Sequence, residues 1–97
     1  TYLNYETVLK AVSEEARDFG PILTLANITP QTSFVNDLGC DSLDMIEIVM
    51  GVEEELGLKL PTEVDEAFAA AATIEDAVQV ILRHIADTKP ESTEAAL

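Results

Sequence analysis

A serine at position 42 lies within the segment Gly39-Cys40-Asp41-Ser42-Leu43-Asp44, directly before a run of apolar and acidic residues. That run predicts a helix beginning at Asp41 or Ser42, because its apolar side chains recur every three and four residues. A hydroxyl at such a helix N-terminus could carry a phosphate, since free backbone N–H groups and the positive end of the helix dipole lie there. The simpler alternative is that Asp41 or Ser42 only caps the helix. The two roles are compatible if Asp41 is the cap.

A catalytic role for Ser42 is a second possibility. A serine nucleophile needs a nearby base and an oxyanion hole. The sequence contains no Gly-x-Ser-x-Gly motif, and its single histidine, His84, lies far along the chain in the last predicted helix. We expect His84 to be a surface residue near the end of that helix. The chain is therefore not expected to be an enzyme, and no catalytic residue is assigned.

Neither a redox centre nor a specific metal site is expected. Cys40 is the single cysteine, which excludes an internal disulfide, a CxxC pair and a zinc cluster of cysteines. We interpret it as a small, partly buried apolar side chain. The acidic residues from Asp37 onward lack EF-hand spacing, because Gly39 and Ile48 fall where calcium ligands are required. Weak divalent binding by clustered surface carboxylates stays open.

The charge of the chain favours basic proteins as partners. Nineteen acidic and five basic residues give a formal net charge of −14, which repels nucleic acid and anionic membranes. Residues 37–76 hold twelve carboxylates and one base, Lys59. The alternative is that this charge only keeps a small domain in solution. No apolar run is long enough to cross a membrane, and the residues from Thr1 onward show no secretory signal, although trimming upstream of Thr1 stays open. We expect a soluble protein with a cytoplasmic or organellar location.

Helical spacing recurs along the chain, whereas no long stretch alternates with a period of two, so an all-α domain is predicted. The first helix should be capped by Asn4 and stop at Gly20 and Pro21. Its inward face should consist of Tyr5, Val8, Leu9, Val12, Ala16 and Phe19. The following loop is unusually apolar and should pack over the core through Ile22, Leu23, Leu25 and Ile28.

Three further helices are predicted. The second should end near Leu56, where Gly57 provides a stop. Thr62 should cap a short third helix that continues through the alanines at 69–72. Thr73 and Asp76 form a capping pair for the last helix, which should end near Asp87. The inward face of the last helix should contain Ile74, Ala77, Val78, Ile81 and Ile85. We therefore expect one domain over residues 1–87 and a flexible tail over residues 88–97.

The second helix carries more apolar surface than a core needs. Its wider face should enter the core through Met45, Ile48, Val49, Val52 and Leu56. A second stripe, offset by about a third of a turn, contains Leu43, Ile46 and Met50. This stripe is interleaved with acidic residues and is interpreted as a recognition surface, although Ile46 and Met50 could also simply broaden the core.

Residues 5–86 resemble the acyl carrier protein family, most strongly between Phe34 and Pro61. The resemblance is carried by Gly39-Cys40-Asp41-Ser42-Leu43-Asp44, by the preceding Phe34-x-x-Asp37-Leu38, and by the helix that follows, with Glu47, Val49, Met50, Glu53, Glu54, Glu55 and Gly57. It implies a four-helix bundle with three longer helices and a short third one. It also implies that Ser42, within a motif that includes Asp41, receives 4′-phosphopantetheine from coenzyme A through a phosphopantetheinyl transferase.

The same resemblance implies a non-catalytic, monomeric carrier that holds acyl groups as thioesters. Its partners would be synthases and acyltransferases of fatty acid, specialised lipid or polyketide synthesis, with basic docking patches. The residues read by these partners would be Leu43, Asp44, Ile46, Glu47, Met50, Glu53 and Glu54. A long, alanine-rich segment from Pro61 to Thr73 and the tail depart from the usual fatty-acid carrier and favour a specialised one. The alternative is an acidic helical adaptor or calcium-responsive protein without a prosthetic group.

Overall fold

Four helices follow from local signals in the sequence. The computed structural model describes residues 3–19 and 27–96, with side chains as far as residue 87. The helices are α1 (Tyr5–Arg17), α2 (Ser42–Leu56), α3 (Thr62–Ala69) and α4 (Ile74–Ala96). Helix α1 packs against α2 and α4, and the short α3 packs against the same two helices. Over the described ranges the only extended pairing is one isolated bridge, Ser33 to Thr73, so the predicted all-α, four-helix bundle is confirmed.

The predicted start of α1 is confirmed in detail. Asn4 Oδ1 accepts a hydrogen bond from the Thr7 N–H at 2.9 Å, and Thr7 Oγ1 accepts one from the Asn4 N–H at 2.9 Å. These reciprocal bonds satisfy backbone donors that a helix start leaves free. The helix ends at Arg17, before the predicted stop, and Gly20 and Pro21 lie outside the described residues.

The core lies between α1, α2 and α4. The five α2 residues predicted to face inward are all buried, as are the predicted α4 residues up to Ile81, while Ile85 is partly buried against the core. Ile28 also packs on the core, whereas Ile22, Leu23 and Leu25 lie outside the described residues. Two aromatic rings complete the core, since Phe34 and Phe68 are fully buried with centroids 6.2 Å apart.

Tyr5 was predicted to face inward, and this prediction is wrong. The side chain is 37% exposed, and its hydroxyl donates a hydrogen bond to Glu75 Oε1 of α4 at 2.5 Å. The reason is its position in the first turn, where the phenol finds a polar partner at the rim of the bundle instead of entering the apolar interior.

The predicted cap of α3 is also wrong. Pro61, not Thr62, is the N-cap residue, with an extended backbone (φ −69°, ψ 162°) and no side-chain cap bond, and Thr62 is the first helical residue. The proline ring fixes a φ value compatible with this position. The helix stops at Ala69, before the predicted alanine run ends, and Ala72 instead accepts the Phe34 N–H through its carbonyl oxygen. The end of α3 is therefore joined to the loop that precedes α2.

Helix α4 begins as predicted and ends later. Thr73 Oγ1 accepts a hydrogen bond from the Asp76 N–H at 3.2 Å, which confirms the capping residue. The helical backbone continues past Asp87 to Ala96. The local sequence does not explain this continuation, since a proline such as Pro90 disfavours a helix interior. The flexible tail over 88–97 stays a prediction. None of the helices in the described ranges is long and apolar enough to span a membrane.

Candidate functional site

The loop before α2 is a folded turn that fixes the start of the helix. The buried ring of Phe34 anchors the loop. The backbone carbonyl oxygen of Phe34 accepts a hydrogen bond from the Cys40 N–H at 2.9 Å. Between these residues Gly39 adopts a left-handed conformation (φ 71°), which glycine adopts without a Cβ clash. Asp37 Oδ2 accepts the Ser33 N–H at 2.7 Å at the beginning of the turn. The loop therefore delivers Asp41 to a defined position.

Asp41 and Asp44 close the N-terminus of α2. Asp41 Oδ1 accepts the Asp44 N–H at 2.9 Å, and Asp44 Oδ2 accepts the Asp41 N–H at 3.0 Å. The two carboxylates form a capping box and also complement the positive end of the helix dipole. Asp41 is thus the helix cap, as the sequence suggested. The part played by Asp44 was not predicted, although the Asp-x-x-Asp spacing matches the Thr73-x-x-Asp76 pair that was recognised.

Ser42 is the first residue of α2, and its side chain is exposed. Across the described residues the Ser42 hydroxyl has no hydrogen-bond partner, because Asp41 already caps the helix. In this part of the chain the backbone N–H groups of Ser42 and Leu43 also have no acceptor, whereas the Met45 N–H bonds to the Asp41 carbonyl. An anionic group on Ser42 Oγ would lie beside these donors and the positive helix end.

The single histidine lies in a different part of the bundle from the start of α2. His84 lies near the middle of α4, where it lines a groove of about 480 Å³ together with α3 residues. That groove is lined by Pro61, Glu63, Val64, Ala67, Val80, Arg83, His84 and Asp87. The structure therefore places the single histidine in the groove between α3 and α4, whereas a serine nucleophile needs its base within hydrogen-bond reach.

Cys40 is close in sequence to Ser42 but unsuited to nucleophilic chemistry. Its side chain is 4% exposed. Burial, followed by the negative charges of Asp44 and Asp41, raises the pKa of the Cys40 thiol to about 11. Because the thiolate is the reactive form, this thiol stays inert at neutral pH. The sequence-based interpretation of Cys40 as an apolar side chain agrees with this placement.

The proposed recognition residues differ in their exposure to solvent and in their hydrogen bonds within the fold. Leu43 and Met50 are 67% and 55% exposed, so the alternative in which Met50 broadens the core is wrong. Glu47 and Glu54 are exposed and Ile46 is partly buried. Asp44 is engaged in the capping box, and Glu53 Oε2 accepts the Leu60 N–H at 3.1 Å.

One exposed apolar residue near the site was missed. Val35 is 63% exposed in the turn that precedes α2. Its neighbour Phe34 is fully buried, so the two side chains point to opposite sides of the turn. Spacing alone gives no signal here, because the turn has neither helical nor strand periodicity. Exposed apolar residues therefore lie on both sides of Ser42 in the sequence.

No specific metal site was assigned from the sequence. Among the residues that the structure describes, no group of three or more His, Cys, Asp or Glu side chains is arranged to hold a metal ion. The acidic residues of α2 lie along its surface and at its contacts with other helices.

Comparison with known proteins agrees with this geometry. Residues 7–81 match the family model described as the phosphopantetheine attachment site. The chain is also similar to an acyl carrier protein of Cyanidioschyzon merolae (strain NIES-3377 / 10D), with 48% identity over 59 residues. That alignment covers 61% of this chain and 62% of the relative, so it spans less than two thirds of the relative's length. Because the family match includes Ser42 and most of the helical bundle, the resemblance inferred from the sequence is confirmed, and the chain belongs to the family of phosphopantetheine attachment domains.

Proposed function

We propose that this chain is a carrier domain that holds acyl groups on a 4′-phosphopantetheine arm attached to Ser42. It would present them to enzymes of fatty acid, specialised lipid or polyketide synthesis. The observation that carries the proposal is that the Ser42 hydroxyl is exposed and does not cap the helix. It is exposed at the start of α2 while Asp41 and Asp44 perform the capping, so modification would remove no stabilising contact.

The residues present fit this group. Phosphopantetheine joins its carrier through a phosphodiester, and the free N–H groups of Ser42 and Leu43 together with the helix dipole favour a negative charge at Ser42 Oγ. When bound, the arm supplies a terminal thiol that forms thioesters with acyl groups. The role of the chain itself is to expose the hydroxyl, hold it at the positive helix end and keep the Cys40 thiol unreactive.

The proposed domain performs no chemistry of its own. Attachment would require a phosphopantetheinyl transferase, since the single histidine lines the groove between α3 and α4 and Asp41 and Asp44 are engaged in the capping box. The carrier function can be tested with acyl-coenzyme A as the donor for a transferase that accepts it. We expect the intact mass to rise by one acyl-phosphopantetheine group, and hydroxylamine to remove only the acyl part. An added mass that hydroxylamine leaves unchanged would contradict thioester carriage.

The exposed residues of α2 are the proposed partner surface. Leu43 and Met50 supply apolar contact, while Glu47 and Glu54 supply exposed negative charge beside them. Charged rims mainly accelerate association, and a few apolar residues provide most of the contact energy. Transferases, synthases and acyltransferases with basic patches are therefore the proposed partners. Asp44 and Glu53 would contribute charge, but their carboxyl groups also serve the fold.

Charge reversal at Glu47 tests this surface. Glu47→Lys is expected to slow modification by a phosphopantetheinyl transferase and to make the rate less dependent on salt, because an exposed charge steers the encounter. Glu47 is a better position than Asp44, whose replacement would also open the capping box. The control is Asp18→Lys, an equal charge change at an exposed residue after α1. If Asp18→Lys slows transfer equally, bulk charge and not α2 determines the rate.

Truncation of Met50 tests the apolar part. Because the side chain is 55% exposed, Met50→Ala is expected to change the free energy of unfolding by less than about 1 kcal/mol. Transfer of phosphopantetheine should be slower and association with acyl-handling enzymes should be weaker, since an apolar contact with the partner would be lost. Thermal melting and transfer kinetics measured on the same variant separate the two effects. A large loss of stability with unchanged transfer kinetics would show that the Met50 side chain stabilises the fold and does not contact the partner.

A further inference from the structure

The segment that follows α2 folds back onto the last turn of that helix. Gly57 ends α2 in a left-handed conformation (φ 70°). The Leu58 N–H then donates a hydrogen bond to the Glu53 backbone carbonyl at 2.9 Å, and the Leu60 N–H donates one to Glu53 Oε2 at 3.1 Å. The Leu60 side chain is buried. Both neighbours of Lys59 are therefore bound to one residue of α2, and the fold defines the position of Lys59.

Lys59 is the one basic residue between Asp37 and Asp76. It is exposed, and among the residues that the structure describes its ammonium group forms neither a hydrogen bond nor an ion pair. The nearby Glu53 carboxylate does not neutralise it, because Glu53 Oε2 accepts a backbone N–H. The three N–H donors of the ammonium group are therefore available to a group from outside the chain.

A groove of about 290 Å³ lies at this end of α2. Its lining consists of Met50, Glu53, Glu54, Gly57, Leu58 and Lys59. Met50 is 55% exposed and Leu58 is partly buried against the core, so the groove presents apolar surface. Glu54 is exposed. The groove thus combines apolar surface with one exposed carboxylate and one exposed ammonium group, and it continues the partner surface proposed for α2.

These charges determine which occupant fits the groove. An apolar side chain is favoured because it would bury the exposed surface of Met50 and Leu58. A basic residue of the partner complements Glu54, whereas an acidic residue complements Lys59. A second basic residue opposite Lys59 would bring two like charges together, which is a common way of suppressing wrong partners. A uniformly basic patch therefore suits the rest of α2 better than this end.

We propose that Lys59 is a specificity-determining residue of the partner surface. It favours partner proteins that insert an apolar side chain beside Met50 and place a carboxylate next to it, opposite Lys59. It disfavours partners whose basic patch extends over the C-terminal end of α2. The role of Lys59 in selecting carrier partners rests on the proposed carrier function, but the contact itself requires no group on Ser42.

Two short helical peptides test this selection on the unmodified full chain. Both carry a central leucine with two arginines on one side. They differ only on the other side, where one peptide has glutamate and the other has arginine. Binding is followed through backbone amide NMR at about 0.15 M salt, where exposed charges separated by more than about 8 Å are largely screened. The result does not depend on whether Ser42 can be loaded.

Lys59→Glu is expected to reverse the selection. It should weaken binding of the glutamate peptide and strengthen binding of the all-arginine peptide, each by roughly two- to fivefold, as for one exposed ion pair. In the wild type, both peptides should shift the amide signals of Met50, Gly57 and Lys59. Met50→Ala should weaken both peptides by a similar factor and keep the ratio of their dissociation constants, because it removes only apolar contact.

Arg83→Glu is the matched control. It makes the same charge change at an exposed residue of α4, a helix that packs against α1 and α3 in the described part of the chain. It should keep the ratio of the two dissociation constants. The proposal is overturned if Lys59→Glu leaves this ratio unchanged, if Arg83→Glu changes it as much, or if the peptides do not bind at the groove. Loading at Ser42 together with an unchanged ratio would support the carrier function and reject this role of Lys59.

Discussion

Ser42→Ala is expected to abolish attachment of phosphopantetheine while leaving the helical bundle intact. The side chain is exposed, and Asp41 caps α2 with Asp44, so the hydroxyl contributes no contact to the described fold. The free energy of unfolding should change by less than about 0.5 kcal/mol, as for a surface substitution away from special contacts. Intact mass after incubation with a transferase and coenzyme A measures the loss, and circular dichroism measures the fold.

A second serine provides the comparison. Ser33 lies in the loop before α2 and accepts the Asn36 N–H through its hydroxyl oxygen at 3.0 Å. Ser33→Ala should lose some stability, because a turn contact is removed, yet it should accept the prosthetic group fully. Attachment to the Ser42→Ala protein would disprove the assigned site. Loss of attachment in Ser33→Ala, with its fold intact, would show that the loop and not only Ser42 determines modification.

Phe34→Ala should produce the largest loss of stability. The ring is fully buried against Phe68, and its backbone joins the end of α3 to the turn before α2 through bonds to Ala72 and Cys40. Removal of a buried phenylalanine costs about 3 to 5 kcal/mol. Small domains are stable by only about 5 to 15 kcal/mol. Denaturant unfolding should therefore show a folded state that is only marginally stable.

Val35 is the control for this substitution, because it is the adjacent residue and 63% exposed. Val35→Ala is expected to change the free energy of unfolding by less than about 0.5 kcal/mol. Similar losses in the two variants would mean that the turn is not anchored by the Phe34 ring. Reduced transfer in Val35→Ala, with normal stability, would instead extend the partner surface to the turn.

Local signals predicted much of the fold. Asp41 and Gly57 bound α2 as expected, because a capping carboxylate and a left-handed glycine (φ 70°) act within one turn of the helix. The wrong predictions concern residues whose placement depends on contacts with neighbouring elements. Tyr5 turns to Glu75 of α4, a contact between residues seventy positions apart that no local pattern contains. Pro61 takes the cap of α3, although Thr62 has the better capping side chain.

The site was predictable in its chemistry but not in its electrostatics. The motif around Ser42 pointed to the correct family, and the apolar stripe of α2 correctly separated buried Ile48 from exposed Met50. The sequence treated the acidic residues of α2 as one surface. In the structure two of them serve the fold, because Asp44 closes the capping box at the start of α2 and Glu53 accepts the Leu60 N–H.

The site of attachment on the wild-type protein is the most direct test of the proposed function. The unmodified chain is incubated with a phosphopantetheinyl transferase and coenzyme A. The mass of the intact protein is measured first, and mass spectrometry of its peptides then locates the added group. We predict a gain of one phosphopantetheine group per chain, located on the peptide that contains Ser42. An unchanged mass with an active transferase, or a group found on any other residue, would contradict the assignment of this chain as a carrier loaded at Ser42.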